Sequence, residues 1–346
     1  MKILILLPVT LFLTSALSAQ EKLARYFPAG QANAEILIDH FIRPLGEDIC
    51  VLPNNGWYTT AKTHKQWGFD LSVTVNSVFV SNENKTFDFP TGINGLNFDG
   101  TDKGGSKIPT VYGTEGENPA FTFTSGPNSG LSFRGPDGFE PGKEYIFDAQ
   151  ALYTIQAGIG LFKNTDLRLR FTPKTKISTV EVGNWGFGLM HDLRQHFKVI
   201  PEGVIDLSLF LGYTQVNGTV DLSGTYSGTG QEAVVSAIGF TGQVLVGKTF
   251  KVISFYGAIG FDSGTTSIDI NGTYTVDSYI DLFGDPAPLN QPVTLNTNPF
   301  SYEYSKNGMR FTAGTRLKFG PVILNGDYSF VGDKRVLTLG FGFTVK

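Results

Sequence analysis

Residues 166–171 read Asp-Leu-Arg-Leu-Arg-Phe, polar and apolar in strict alternation. The same period recurs from Trp67, where Trp67, Phe69, Leu71, Val73 and Val75 are separated by Asp70, Ser72, Thr74 and Asn76. It returns at Ile205, Leu207, Leu209, Leu211 and Tyr213. Period 2 over about ten residues predicts a β-strand with one greasy and one wet face. Ten such segments are predicted: 67–80, 148–162, 165–173, 178–190, 204–217, 236–249, 252–262, 309–319, 322–330 and 335–345.

Many of these exceed the ~5–6 residues of an ordinary strand and match the ~9–11 that a tilted strand needs to cross a bilayer. The wet faces carry Gln, Gly, Thr and Arg, as does the lumen wall of a barrel. Charge on a lipid-facing position costs ~2–4 kcal/mol at midplane. Parity therefore turns Asp166, Arg168, Arg170, Asp206, Arg310, Arg316, Lys318 and Asp327 into the lumen, and Leu167, Leu169 and Phe171 to lipid. The lumen charges either brace the wall by pairing or form a positive constriction for anions, and bracing is the favoured reading. Glycines 158, 160, 186, 188, 340 and 342 fall on the same inner face, where a plug or loop could pack close.

The connections alternate in length. Residues 249–251 and 319–322 are tight, whereas 217–235 and 262–308 are long, the asymmetry of periplasmic turns and outer loops. The reversal after 165–173 is predicted at 173–176. Segment 81–147 is rich in Gly and Pro, and an even number of crossings there predicts twelve or fourteen strands, fourteen preferred. The expected fold is all-β: a closed antiparallel transmembrane barrel over 67–346. Its last strand ends at the periplasm, with Leu337, Leu339, Phe341, Phe343 and Val345 on one face for the barrel-assembly machinery.

The N-terminus is of another kind. Lys2, an apolar run over 3–13 and small residues at Ala16, Ser18 and Ala19 predict a signal peptide over 1–19, cleaved near Ala19. Removing it takes one Lys and no acid, so the formal charge moves from −4 to −5. That balance argues against a nucleic-acid partner. Within 20–66, Ala34, Leu37, Ile38, Phe41, Ile42 and Leu45 recur at helical spacing, ended by Pro44 and Gly46. This helix either plugs the lumen or covers its floor. Beyond the signal peptide no apolar run reaches 18 residues, which excludes a helical membrane protein.

Chemistry-bearing constellations are sparse. The single cysteine, Cys50, rules out an intramolecular disulfide framework. There is no G-x-S-x-G, and neighbouring His191 and Asp192 read as an exposed strand end. His191 and His196 could form half a metal site, but no further Cys or His cluster completes it. No catalytic residue, metal or cofactor is expected, and no enzyme.

The stretches NNGWYTTAKTHKQWGFDL, IPTVYG, QAGIGLFKNTDLRLRFTP and GFGLMHDLRQHFKVIPEGVIDLSLFLGYT together resemble a group of outer-membrane barrels from Bacteroidota. That group is distantly similar to the long-chain fatty-acid transporter (FadL) type. The resemblance covers most of the mature chain. It implies fourteen strands, an N-terminal hatch, and passage of hydrophobic compounds with lateral exit into the membrane. No functional residue carries over, because segment 20–66 does not match the transporter's N-terminal motif. The expectation is an integral outer-membrane barrel in contact with outer-membrane lipid, a passive transporter of a hydrophobic or amphipathic small-molecule ligand. The alternatives are a general diffusion porin, or a non-transporting barrel whose outer loops bind a partner.

Overall fold

The computed structural model of the chain describes residues 22–141, 149–177, 179–197, 203–224 and 226–345. The expected signal peptide lies outside the described residues. Ten antiparallel strands close into a barrel: β1 (Phe69–Phe79), β2 (Ala149–Gly160), β3 (Thr165–Ile177), β4 (Val180–Asp192), β5 (Asp206–Asp221), β6 (Glu232–Phe250), β7 (Ile253–Asn271), β8 (Phe300–Phe319), β9 (Val322–Val331) and β10 (Lys334–Val345). Ring closure is direct, because β1 pairs with β10 on one side (Val73 opposite Phe341) and with β2 on the other (Val73 opposite Ile155).

That closure corrects the expected strand number from twelve or fourteen to ten. Between β1 and β2 the strands among the described residues are pieces of two to six residues, Thr86–Phe87, Leu96–Thr101, Ile108–Pro109, Pro119–Phe123 and Ser132–Arg134, which pair among themselves. None is long enough to cross hydrocarbon. They form a cap at the loop end of the barrel. The reversal expected at 173–176 is also displaced: β3 runs through it with a bulge between Thr172 and Thr175, and turns back only after Ile177.

The outward belt is apolar. Leu71, Leu169, Phe171, Phe187, Leu211, Phe240, Ile259, Phe311, Phe341 and Phe343 are all exposed. A continuous exposed apolar surface of that extent needs a hydrocarbon partner. The inward positions are the buried polar ones, among them Asp70, Ser72, Thr74, Asn76, Gln156, Arg168, Arg170, Gln243, Asp262 and Arg310.

Strands β6, β7 and β8 run 19, 19 and 20 residues. At ~3.3 Å per residue and ~40° tilt, twenty residues rise roughly 50 Å, about twice the ~25 Å apolar band of a barrel. They therefore stand above the membrane, and the long loop expected over 262–308 is largely strand, with a hairpin of Tyr274–Ile280 and Pro286–Leu295 at its tip. The alternation inverts on the way up. Inward Asp262 and Arg310 give way to inward Ile268, Ile270, Tyr302 and Tyr304, while Ser301, Glu303 and Ser305 face out. Above the bilayer the outside is water, so the apolar set belongs inside.

That inner apolar wall receives helix α1 (Gln31–Val51). Leu37, Ile38, Phe41 and Ile42 are buried, in one core with Ile270, Tyr302 and Tyr304 and with Phe121 and Phe133 of the cap. The helix does not stop at Pro44 and Gly46, as its sequence predicts; it runs through both to Val51. A mid-helix proline costs ~3 kcal/mol, and tertiary contacts offset it. Pro44 is buried, and the last turns are anchored by Lys306 to Glu47 at 3.0 Å and Lys334 to Asp48 at 2.6 Å.

Below α1 the chain continues down the bore to the start of β1, so residues 31–67 thread the barrel from loop end to turn end. The wall admits them at glycines. A methyl group added at Gly264 would overlap the carbonyl oxygen of Cys50, and one at Gly239 would lie 2.5 Å from Asn54 Oδ1. Of the six glycines expected to receive a plug, Gly160 does so, against Lys65 and His64. The other five pack against wall strands: Gly158 on Asp70, Gly186 on Tyr213, Gly188 on Phe210, Gly340 on Asn325 and Gly342 on Leu71 and Ser72. Gly264→Val should therefore unseat α1 at a cost of about 1–3 kcal/mol. The buried thiol of Cys50 reports it: maleimide labelling of the folded barrel should accelerate in the variant.

Candidate functional site

The functional question centres on the middle of the bore, where residues 53–57 meet three buried arginines. Arg168 and Arg170 stand two apart on β3, so one register carries both inward, and Arg310 does the same on β8. Arg170 donates to the carbonyls of Pro53 at 2.8 Å and Asn55, and to Gln156 Oε1 at 2.9 Å. Its guanidinium lies 3.5 Å from the centroid of the Trp57 ring. It has no carboxylate partner within ion-pair distance among the described residues; carbonyl dipoles and the ring face hold the charge instead. Arg168 donates to the Trp57 carbonyl at 3.1 Å and pairs with Asp166 at 3.3 Å and Asp70 at 3.6 Å. Arg310 pairs with Asp262 at 2.9 Å and donates to Asn55 Oδ1 at 2.7 Å and Ser329 at 2.8 Å.

The segment is tied again at both ends. Towards the turns, the Asp166 carboxylate takes the His64 backbone N–H at 2.9 Å and lies 2.8 Å from His64 Nδ1. Ser208 donates to the Ala61 carbonyl at 2.7 Å, and Tyr58 to Gln243 at 2.5 Å. Towards the loops, Tyr304 donates to Asp39 at 2.9 Å, and Gln31 to the Pro299 carbonyl at 3.0 Å. The cap's aromatic core clamps the top, with Tyr26 edge-on to Phe41 at 5.8 Å and Phe27 to Tyr274 at 5.0 Å. Burial pushes the phenols of Tyr226 and Tyr274 in this cap above their ordinary range.

The residues singled out by parity thus divide. Asp166, Arg168, Arg170 and Arg310 come together on residues 53–64. Asp327 is buried nearby and accepts from Tyr256 at 3.1 Å. Asp206, Arg316 and Lys318 stand apart towards the turn end, half-buried, with no ion pair within 4 Å among the described residues. Sequence reasoning missed the partners supplied from elsewhere: Asn55, Trp57, His64, Gln156 and Asp262. Asn55 acts through its carbonyl and its amide, and Trp57 through its carbonyl and its ring face, none of which a periodicity along the chain marks. Gln156 and Asp262 sat on predicted inner faces, so parity could have found them.

Among the described residues no three or more His, Cys, Asp or Glu side chains gather to hold a metal. No helix among the same residues is long and apolar enough to cross a membrane. The arrangement's chemistry is that of a latch: guanidinium groups fixed on backbone carbonyls in the buried centre of a barrel.

The attachment invasion locus protein Ail of Yersinia pestis aligns at 10% identity over 81% of this chain and 100% of its own, with a TM-score of 0.23. The translocator domain of autotransporter NalP from Neisseria meningitidis aligns at 9% over 82% and 89%, TM-score 0.30. The toluene transporter TodX of Pseudomonas putida aligns at 9% over 80% and 88%, TM-score 0.22. At these identities and scores none of them carries a functional argument. No curated protein matches the sequence. The model of the family of unknown function DUF6588 matches residues 1–345, and the chain belongs to that family.

Proposed function

We propose that this protein is a self-plugged barrel of the outer membrane that conducts nothing at rest, and that its loop-end cap is the surface with which it works. One observation carries the reading: Arg170, 2% exposed, spends its guanidinium on the backbone of Pro53 and Asn55 in mid-bore. A general porin keeps an open aqueous lumen, and this bore is occupied by its own chain. Beside the cap, the hairpin of Tyr274–Ile280 and Pro286–Leu295 projects an exposed tip at Leu282 and Phe283, suited to contact with a partner outside the cell.

A second reading keeps the passive transport of hydrophobic molecules expected from the resemblance to the fatty-acid transporter type. It is favoured by the apolar upper wall, Ile268, Ile270, Tyr302 and Tyr304, which would line a greasy passage if α1 moved aside. One variant separates the two. Thr266 Oγ1 lies 3.2 Å from Cys50 Sγ, so Thr266→Cys sets a second thiol beside the first. Under oxidation this locks the plug. Uptake of a labelled long-chain fatty acid that is lost on oxidation and restored by reductant would establish transport and overturn the closed reading. No uptake in either state, with no steady conductance steps in planar bilayers, is the expected result.

A further inference from the structure

We propose that His191 and His196, at the turn end beside the latch, form a binding site for a borderline divalent transition-metal ion such as Cu2+ or Zn2+. His191 is the penultimate residue of β4, and His196 lies in the short turn Arg194–His196 that follows. Their Nε2 atoms are 3.0 Å apart. Two imidazoles bound at ~2.0–2.1 Å to one ion hold their nitrogens ~2.9 Å apart in adjacent square or octahedral positions and ~3.3 Å apart in a tetrahedron. The observed spacing falls between these values.

The hydrogen bonds around His191 orient it as a ligand. Thr165 Oγ1 donates to the Lys163 carbonyl at 3.3 Å, which leaves its lone pair to accept Nδ1–H of His191 at 2.8 Å. The proton is thereby held on Nδ1, and Nε2 presents a lone pair towards His196. Gln195 Nε2, 3.2 Å from the same nitrogen, spends both its hydrogens on the Lys163 and Asp192 carbonyls at 2.9 and 2.8 Å and leaves that lone pair free. A ligating histidine whose other nitrogen donates to a fixed acceptor is the usual metal-site arrangement. Both rings reach solvent at this edge, so water completes the coordination. Asp192 is engaged by Arg194 at 3.5 Å.

The other two histidines are otherwise occupied. His40 Nδ1 lies 2.9 Å from the Ile36 carbonyl, and His64 sits between Asp70 and Asp166. Two neutral nitrogen donors suit Cu2+ best among the first-row divalent ions. An ion here would tie the connection after β4 to the strand end beneath the bore.

The test uses untagged full-length protein in detergent, titrated with Cu2+ and followed by electron paramagnetic resonance. One ion per barrel with a nitrogen-donor signature, removed by a copper chelator, is expected. His191→Gln and His196→Gln should each abolish that signature while leaving heat-modifiable gel mobility, the mark of a folded barrel, unchanged. Thr165→Val should weaken binding about 10-fold or more through loss of the orienting acceptor. Copper held equally well by both histidine variants, or no nitrogen signature in the parent, would reduce the contact to an N–H···N hydrogen bond and overturn the proposal.

Discussion

Excision of residues 31–66 should turn a silent barrel into a conducting one. The segment occupies the bore at every level, from Gln31 at Pro299 down to His64 at Asp166. The wall it leaves is polar through the membrane and already paired in part with itself, through Arg310 with Asp262 and Arg168 with Asp166 and Asp70. Water replaces the lost carbonyls. Barrels of about eight strands are filled by their own side chains, whereas ~16–18 leave an open channel. Ten strands lie near the lower limit, so single-channel steps should be steady but much smaller than a porin's. Folding of the shortened barrel is checked by heat-modifiable mobility. A folded variant that stays as silent as the parent would refute the assignment of 31–66 as what closes the bore.

The second large effect is expected from Arg170→Met. Methionine keeps most of the volume and removes every donor, leaving the Pro53 and Asn55 carbonyls and Gln156 Oε1 without that partner. Each buried acceptor left unpaired costs ~1–3 kcal/mol, so the plug's hold should weaken by about 3 kcal/mol. That is a rise on the order of 10²-fold in the opening equilibrium of the segment. Cys50 reads it directly, because its thiol is covered by Thr266 and the Tyr304 carbonyl while α1 is seated. Maleimide labelling under native conditions should accelerate by that factor. Phe171→Met, one residue away on the lipid face and 64% exposed, should leave the rate unchanged. Equal labelling in both variants would mean that Arg170 braces the wall and does not hold the plug.

Lumen parity was legible on β3 because alternation of Leu167, Leu169 and Phe171 with Arg168 and Arg170 admits one placement in a bilayer. What those arginines hold was not legible. Their acceptors include backbone carbonyls of a segment about 110 residues earlier, and a carbonyl has no residue type. The helix illustrates the same division. Its apolar stripe at Leu37, Ile38, Phe41 and Ile42 is local and readable, whereas its passage through Pro44 depends on Lys306 and Lys334, which arrive from β8 and β10.

The upper strands are hidden in the sequence for a related reason. Alternation across the bilayer puts lipid outside and water inside. Above the membrane the solvent changes sides, so Tyr302 and Tyr304 face inward and Ser301 and Glu303 outward, and an inverted strand passes for a loop. A mean hydropathy of −0.02 hides both patterns, since apolar and polar faces cancel in either setting.

By itself, then, the sequence determined the barrel, its inner and outer faces across the bilayer, and an apolar helix ahead of the first strand, because period and parity are local properties tested against a solvent of known thickness. Only the tertiary structure decided that ten strands close the ring, that the helix lies within it, and that Arg168, Arg170 and Arg310 fasten the chain's own backbone there. Closure and filling depend on pairings between residues distant in sequence, and no periodicity along the chain records them.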